Sequence, residues 1–276
     1  MVKVFVDTDH EYYLDGFLKT NLDTAKTVIQ KDWDMIFAAD GYEGSGKSTL
    51  VAQCAFYCDP TLDLDRITFT PFEFKKAIMS AKKYQAVIYD EAYTGLSSRA
   101  TMSMINRTLI SMLAEIRQKN LFVFVVMPTF FDLDKYVALW RSRVLLHVYT
   151  ANSFERGYFS FYNIDLKKDL YINGKKYYSY RKPKPNFIGR FTKHFPGDEK
   201  EYKKKKASSL LEREKKREEA ELKRQMEDKL FDKMLLLRED DPEKWTHNII
   251  IDILSMSPST YYRKLKGYEE KREFVE

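Results

Sequence analysis

The sequence has little cysteine and no long apolar run. Only Cys54 and Cys58 occur among its 276 residues, and no His or Cys pair lies nearby to complete a zinc site. We therefore expect both thiols to be small buried groups in a reducing compartment. No charged-then-apolar signal segment opens the chain, and no apolar stretch reaches the ~20 residues that a membrane-spanning helix needs. These absences predict a soluble, cytoplasmic protein without a membrane segment.

Aromatic residues and unevenly placed charge are abundant. With 19 Tyr and 19 Phe, the chain can fill the core of one main α/β domain and still carry a smaller appendage. The formal net charge is +6, and lysines cluster in the last third. This asymmetry indicates a polyanionic partner, for which DNA is our expectation.

Residues 41–49 read GYEGSGKST and match the pattern G-x-x-x-x-G-K-[ST] at every defined position. In such a loop the glycines let successive backbone N–H groups point inward, where they bind phosphate together with the positive end of the following helix. Lys47 adds a cation for the β- and γ-phosphates, and the Ser48 hydroxyl can bind magnesium. The nucleotide-binding residues are predicted to be Gly41, Gly44, Ser45, Gly46, Lys47, Ser48 and Thr49.

The residues around this loop have the required pattern. An apolar run at 35–39 precedes the loop, and helical spacing of apolar residues follows it to Tyr57. A second apolar run, 86–89, ends in Asp90 and Glu91. Asp90 is predicted to hold magnesium and Glu91 to orient the attacking water, so the expected cofactors are ATP and Mg²⁺. The alternatives are a glycine-rich turn with an incidental lysine and an acidic pair in a solvated loop.

The alternation of strands and helices over the first 150 residues predicts an α/β fold with a mostly parallel sheet and helices on both faces. From residue 154 the pattern becomes antiparallel. Asn173-Gly174 lies between the β-rich runs 158–162 and 177–180, which predicts a β-hairpin. The basic and aromatic segment 187–195 suits either nucleic-acid contact or a strap packed on the domain.

Several polar residues are candidates for completing an ATP site. Thr129 follows the apolar strand 121–126, the position at which a P-loop ATPase places its γ-phosphate sensor. It can equally cap the helix that follows. An arginine finger reaching a neighbouring subunit is sought among Arg99, Arg107, Arg141 and Arg143. For any one of these arginines, local pairing is the competing expectation. His147 has no visible carboxylate partner and is predicted to be a core or edge histidine.

The C-terminal part is predicted to be all α. Segment 199–239 mixes both signs of charge and is expected to be an exposed helical linker. Residues 240–276 predict two short helices joined by a turn at Ser255, a pattern typical of a helix-turn-helix. Its exposed second helix supplies the DNA-binding candidates Ser259, Thr260, Tyr262, Arg263 and Lys266. A small helical interaction module is the alternative. The expected divisions are 1–153 for the ATPase core, 154–198 for the hairpin and strap, 199–239 and 240–276.

The nucleotide loop, Asp90-Glu91, the arginine-bearing helix after them and the strand ending at Pro128-Thr129 resemble the additional-strand P-loop ATPases with a catalytic glutamate. Among these, the chain is most similar to the FtsK/HerA branch and the zonular-occludens-toxin-like ATPases of phages and mobile elements. The resemblance covers about the first 150 residues; where that branch commonly has Thr-Gln, this chain has Pro128-Thr129-Phe130. The tail separately resembles helix-turn-helix domains. The resemblance implies a RecA-like fold and a ring-forming ATPase that moves or packages DNA.

Two other classes of protein also use such a nucleotide loop. An ATP-controlled regulator or adaptor, such as a helicase loader or transposition helper, would use hydrolysis to reset its assembly without moving along DNA. A small-molecule kinase would need an arginine-rich lid over its acceptor, and no such lid is evident after the central helix.

Overall fold

The structure is a computed structural model that describes residues 2–5, 11–92, 110–113, 116–151 and 154–273. The predicted arginines Arg99 and Arg107 lie outside these residues. The chain divides into two compact units, Met1–Ala207 and Ser208–Glu276. Within the described residues, no helix combines the length and apolar character that crossing a membrane requires.

Nine strands and seven α-helices are described. The strands are β1 (Val2–Phe5), β2 (Glu11–Leu14), β3 (Met35–Gly41), β4 (Ile67–Thr68), β5 (Ala86–Tyr89), β6 (Phe122–Val126), β7 (Ser142–Tyr149), β8 (Tyr158–Tyr162) and β9 (Phe187–Arg190). The helices are α1 (Gly16–Ile29), α2 (Lys47–Cys58), α3 (Pro71–Ser80), α4 (Ile164–Asp169), α5 (Glu199–Asp240), α6 (His247–Ile253) and α7 (Pro258–Glu273).

The main sheet has seven strands in the order β4-β5-β6-β3-β7-β8-β9. The first five are parallel to their neighbours, whereas β8 and β9 are antiparallel. Strands β5 and β6 are buried along their whole length, because helices cover both faces of a parallel sheet. The predicted α/β class with a mostly parallel sheet is confirmed.

The strand order separates the two halves of the predicted site by one strand. Strand β6 lies between β3, which leads into the nucleotide loop, and β5, which ends at Asp90. Because the strands are parallel, the loop after β3 and the carboxylates after β5 emerge at the same edge of the sheet, where ligands bind in open α/β folds.

The sheet separates two apolar cores. Helices α1 and α2 bury their apolar side chains against one face. Helix α3 and segment 130–139 cover the other face. Cys54 and Cys58 are free and buried in the first core, and burial raises the pKa of both thiols, as expected for inert structural cysteines.

The predicted hairpin at Asn173-Gly174 is wrong. Strand β8 pairs instead with β7 and with β9, which lies in the segment that the sequence suggested was a strap. Gly174 lies in a helical turn with φ of −77°. A Cβ at Gly174 would come within 2.6 Å of the Ser179 carbonyl oxygen and 2.9 Å of Phe131 Cζ. The glycine is therefore required for close packing and not for a hairpin turn.

The second unit has its own small core. Phe231, Met234 and Leu235 from α5 are buried with Ile250, Ile251 and Tyr261. Ser255 ends α6 with φ of +48°, the left-handed conformation that glycine usually supplies. Two backbone bonds close this turn, from Met256 N to Ile251 O at 3.1 Å and from Ser255 N to Asp252 O at 3.1 Å. The two short helices predicted within 240–276 are present as α6 and α7.

Candidate functional site

The nucleotide loop has a conformation that only glycine can adopt without strain. Gly41 has φ of +142°, and a Cβ there would lie 2.0 Å from the Val148 carbonyl oxygen of β7. Gly46 has φ of +102° and immediately precedes α2, so the backbone N–H groups at the start of this helix face the loop. Ser45 is buried, and its Oγ has no hydrogen-bond partner among the described residues. A phosphate oxygen would satisfy it.

Lys47 already lies over the loop. Its Nζ donates to the carbonyl oxygens of Gly41 at 2.7 Å and Tyr42 at 2.8 Å. Burial lowers the pKa of this lysine, opposed by the negative charges of Asp90, Asp40 and Glu91. Phosphate oxygens are charged acceptors and bind an ammonium group more strongly than neutral carbonyls do. The lysine is thus positioned to bind an incoming triphosphate.

Ser48 and the two carboxylates are brought together as predicted. The Ser48 Oγ donates to Asp90 Oδ2 at 2.9 Å, and the Glu91 backbone N–H donates to Asp90 Oδ1 at 3.0 Å. Glu91 has φ of +63°, an unusual conformation for a non-glycine residue and one that is enriched at functional sites. Lys47, Asp90 and Glu91 line one cavity together with Glu43 and residues 126–128.

The oxygen groups of Ser48 and Asp90 fit magnesium. Mg²⁺ prefers hard oxygen ligands, and protein sites usually supply only one or two, with phosphates and water completing the octahedron. Among the described residues there is no cluster of three or more His, Cys, Asp or Glu that would hold a metal alone. A metal here would therefore bind Ser48, Asp90 and the nucleotide.

Two residues from the start of α5 also contact the site, and the sequence analysis missed both. The Tyr202 hydroxyl donates to Asp90 Oδ2, and Lys206 Nζ lies 3.2 Å from the same oxygen and 3.1 Å from Glu91 Oε1. Both residues lie in the first unit. The lysine places a positive charge where Asp90 and Glu91 converge. Their only sequence signal was a tyrosine and a lysine spaced one helical turn apart at the start of a charged helix.

These contacts change the protonation of both side chains. Burial disfavours the charge on Lys206, but the neighbouring Asp90 and Glu91 outweigh it and raise the pKa of the lysine. Burial, reinforced by the negative charge of Asp90, raises the pKa of the Tyr202 hydroxyl. Lys206 is therefore charged and Tyr202 neutral at physiological pH. Both groups are hydrogen-bond donors, and both act on the carboxylate assigned to magnesium.

Thr129 belongs to a different hydrogen-bond network. Its Oγ1 caps the helical turn 130–132 by accepting from Phe131 N at 3.4 Å, and it lies 3.1 Å from the Tyr180 hydroxyl. That hydroxyl donates to Asp40, as His147 Nδ1 does at 2.9 Å. The structure thus shows the capping role, and a sensor role for Thr129 remains a proposal. The expectation that His147 lacks a carboxylate partner is wrong.

The described arginines make local contacts. Arg141 Nε donates to the Leu113 carbonyl oxygen at 2.7 Å, and its Nη2 pairs with buried Asp34, just before β3. The Arg143 guanidinium lies 4.9 Å from the ring centre of Trp33. Both arginines are thus at the edge of the sheet opposite the nucleotide loop. Arg156, which the sequence analysis did not single out, is next to the loop, with Nη2 3.7 Å from the position of a Cβ on Gly44.

In the second unit, α7 exposes Ser259, Tyr262, Arg263 and Lys266, with Thr260 half-buried. Ser257 caps this helix by accepting from the Thr260 backbone N–H at 3.2 Å. The residues proposed to contact DNA are thus on the accessible side of one helix, while their neighbour Tyr261 is in the core and contacts His247 Nδ1 at 2.7 Å.

Comparison of the sequence with protein-family models and with curated proteins gave no match. Among solved structures, the chain is similar to the genome packaging NTPase B204 of Sulfolobus turreted icosahedral virus 2 in complex with ATP-gammaS. The identity is 15% and the TM-score 0.35, over 48% of this chain and 93% of that one. It is also similar to the N-terminal domain of zonular occludens toxin from Neisseria meningitidis, with 16% identity and a TM-score of 0.37, over 62% of this chain and 98% of that one.

Proposed function

We propose that the chain is a magnesium-dependent ATPase that acts on DNA, as an oligomeric motor for DNA translocation or packaging in a phage or mobile element. The observation that supports the ATPase most strongly is the bond between Ser48 and Asp90, 42 residues apart in sequence, directly beside Lys47 and Glu91. A glycine-rich turn with an incidental lysine would not require this alignment.

Each residue has a defined task in this proposal. The loop amides, Ser45 and Lys47 bind the phosphates, while Ser48 and Asp90 hold the metal. Bound Mg²⁺ would neutralise charge on the β- and γ-phosphate oxygens. Glu91 accepts a hydrogen bond from the attacking water and orients it toward the γ-phosphate. Lys206 contacts Asp90 Oδ2, so this contact would have to break or lengthen before a metal ion could bind that oxygen.

Positively charged residues are proposed to contact DNA and the nucleotide of a second subunit. The exposed polar and basic face of α7 is proposed to contact DNA. Arginines act as fingers when they reach the γ-phosphate of a neighbouring subunit in a ring. Arg141 is committed to Asp34, so this task falls to Arg99, Arg107 or Arg143 within a homo-oligomer.

The experiment is an ATPase assay with and without DNA, accompanied by mass measurement from light scattering. Glu91→Gln is expected to lower kcat by about 10²- to 10⁴-fold, the usual range for a general base, while ATP binding persists. Glu243→Gln, an exposed glutamate in the second unit, is the control. ATP hydrolysis by Glu91→Gln at the parent rate would overturn the assignment.

The same preparation separates a motor from an ATP-controlled regulator or adaptor. A motor displaces a protein roadblock from DNA in the presence of ATP. A regulator forms ATP-dependent oligomers on DNA and leaves the roadblock in place.

A further inference from the structure

A second cavity, of about 720 Å³, shares no lining residue with the one formed by Lys47, Asp90 and Glu91. Its floor is formed by His147, Tyr149, Ser160 and Tyr162 of β7 and β8, on the sheet face opposite α2, and its wall by segment 177–181. Cavities between about 300 and 1,000 Å³ hold small organic groups in proteins. This one has room for a nucleobase.

The cavity is built from stacked rings. The ring centres of Tyr180 and His147 are 3.8 Å apart with planes inclined by 13°, and the stack continues through Tyr149 at 6.1 Å to Tyr158 at a further 6.0 Å. Asp40 fixes the first two rings through the His147 Nδ1 contact at 2.9 Å and the bond from the Tyr180 hydroxyl. The stack is therefore held in place before any ligand arrives.

Two further rings stand open to solvent at the mouth. Tyr177 and Tyr178 are 73% and 56% exposed. Tyr178 has φ of +47°, a conformation that is costly for an aromatic residue and is found preferentially at ligand sites. Exposed aromatic faces beside a prearranged stack are the usual platform for unpaired bases.

The segment that forms the wall of the cavity is basic. Residues 170–197 contain seven Lys or Arg and no Asp or Glu. Lys176, Arg181, Lys182 and Lys184 of this segment are exposed, whereas Arg190 pairs with Glu155 at 2.9 Å. Four exposed cations beside open tyrosine rings complement the phosphates and bases of a nucleic-acid strand.

The remainder of the predicted strap is not available for this role. Gln53 of α2 donates to the Thr192 carbonyl oxygen at 3.0 Å, and Phe191 and Phe195 are buried against the same core. This stretch is packed on the domain, which is one of the two interpretations that the sequence allowed. The exposed basic and aromatic residues available for nucleic-acid contact are therefore those of the loop between α4 and β9.

We infer that the tyrosine cavity and segment 175–184 bind single-stranded DNA, with a base stacked on Tyr177 and phosphates on Arg181 and Lys182. A duplex keeps its bases stacked on one another, so only an unpaired strand can offer a base to these rings. The inference rests on the proposed action on DNA and adds a contact in the ATPase unit, separate from α7.

The test measures the affinity of the full chain for a labelled oligo-dT and for a duplex of equal length, by fluorescence anisotropy. Tyr177→Ala is expected to weaken oligo-dT binding about 5- to 100-fold, the range found for one stacked base, and to leave duplex affinity unchanged. Tyr177→Phe keeps the ring and retains affinity. Tyr136→Ala, at another exposed tyrosine, is the matched control.

Salt dependence tests the phosphate contacts. Each lost contact to a single strand lowers the slope of log affinity against log salt by about 0.7, so Arg181→Gln is expected to show this change and Arg217→Gln to show none. If Tyr177→Ala and Arg181→Gln bind oligo-dT as the parent does, the inference is wrong while the proposed action on DNA stands. If the parent binds neither DNA, both fail. If Tyr177→Ala changes the KM for ATP and not DNA affinity, the cavity holds adenine and the inference is overturned.

Discussion

At the amino edge of the sheet buried carboxylates are paired with arginines, whereas at the carboxyl edge Asp90 is paired with a lysine and two hydroxyl groups. Arg66 contacts Asp59 and the Thr61 carbonyl oxygen, and Asp59 also accepts from Ala86 N at 2.8 Å at the start of β5. Arg141 pairs with Asp34 before β3. The corresponding partners of Asp90 are Ser48, Tyr202 and Lys206.

The two edges differ in whether another cation can replace the partner of the carboxylate. A guanidinium presents several donors in a fixed plane and fits one arrangement of acceptors, so the arginine pairs fasten the strand starts. An ammonium is a compact point charge, and a divalent cation can take its place beside a carboxylate. The arginine pairs at the amino edge therefore suit a structural role. Under the proposed function, the carboxyl edge exchanges Lys206 for a metal and a nucleotide.

The largest expected effect comes from replacing Asp90 at the carboxyl edge of the sheet. Asp90→Asn removes the charge that is proposed to hold magnesium, and since metal stabilisation of the transferring phosphate contributes several kcal/mol, we expect kcat to fall at least about 100-fold. Thermal unfolding should change little by comparison. Steady-state ATPase assays and a melting curve on the same sample measure both. A large loss of stability with retained activity per folded molecule would contradict the comparison.

The opposite result is expected at the amino edge. Arg66→Met leaves Asp59 buried without its cation, and breaking such a pair from one side costs about 3–5 kcal/mol. Denaturant unfolding should show this loss, while kcat per folded molecule stays within about twofold of the parent, since the Arg66 side chain contacts the start of β5, at the edge of the sheet opposite the nucleotide loop. Arg217→Met, at an exposed helical site, serves as the control. An unchanged unfolding midpoint would refute the structural role of the pair.

Competition between Lys206 and magnesium for Asp90 can be tested by removing the lysine. In Lys206→Met no ammonium competes for Asp90, so the Mg²⁺ concentration that gives half-maximal nucleotide binding is expected to fall several-fold. Lys203→Met, an exposed neighbour on α5, should leave it unchanged. Fluorescent nucleotide titrations at graded Mg²⁺ measure this. If Lys206 instead binds phosphate, the variant will weaken nucleotide binding at every Mg²⁺ concentration.

The last prediction concerns a buried lysine whose described partner is a carbonyl group. Lys167 donates to the Ala138 carbonyl oxygen, and burial, with Lys168 and Arg143 nearby, lowers its pKa to about 7. Between pH 7 and about 10 the unfolded chain holds the extra proton, so stability rises with pH, by up to about 1.4 kcal/mol per pH unit. Below pH 7 the lysine is charged in both states and the cost is constant.

Lys167→Met should remove this slope and be more stable than the parent at pH 7 and below. Urea unfolding at several pH values compares the two proteins, with Lys135→Met as a control at an exposed lysine. Parallel pH profiles for the parent and Lys167→Met would show that Lys167 has the same protonation state in the folded and the unfolded chain, which would contradict the prediction.

The nucleotide loop and its two carboxylates could be predicted from the sequence, because each is specified by a short contiguous stretch of residues. Loop residues 41–49 are contiguous, and Asp90 follows an apolar strand whose end must lie at the ligand edge. The contacts of Tyr202 and Lys206 could not be predicted, because they join residues more than 100 positions apart from a helix that reads as a solvated linker. No local pattern specifies such a contact.

Two errors have physical causes that single-sequence patterns do not reveal. Asn173-Gly174 has the letters of a hairpin turn, but the close approach of Phe131 and Ser179 explains the glycine instead. His147 appeared isolated because its partner Asp40 lies on the neighbouring strand β3, where the two residues are directly opposite each other. Strand order had to be known before that pair could be recognised.

The central claim is that a triphosphate and its magnesium bind between the loop around Lys47 and the carboxylates after β5. Isothermal titration of a slowly hydrolysed ATP analogue, with and without Mg²⁺, tests it directly in the parent, in Lys47→Ala and in the control Lys216→Ala. We expect one Mg²⁺-dependent site per chain in the parent and the control, and at least about a tenfold loss of affinity in Lys47→Ala. No binding by the parent, or equal binding by Lys47→Ala, would contradict the account.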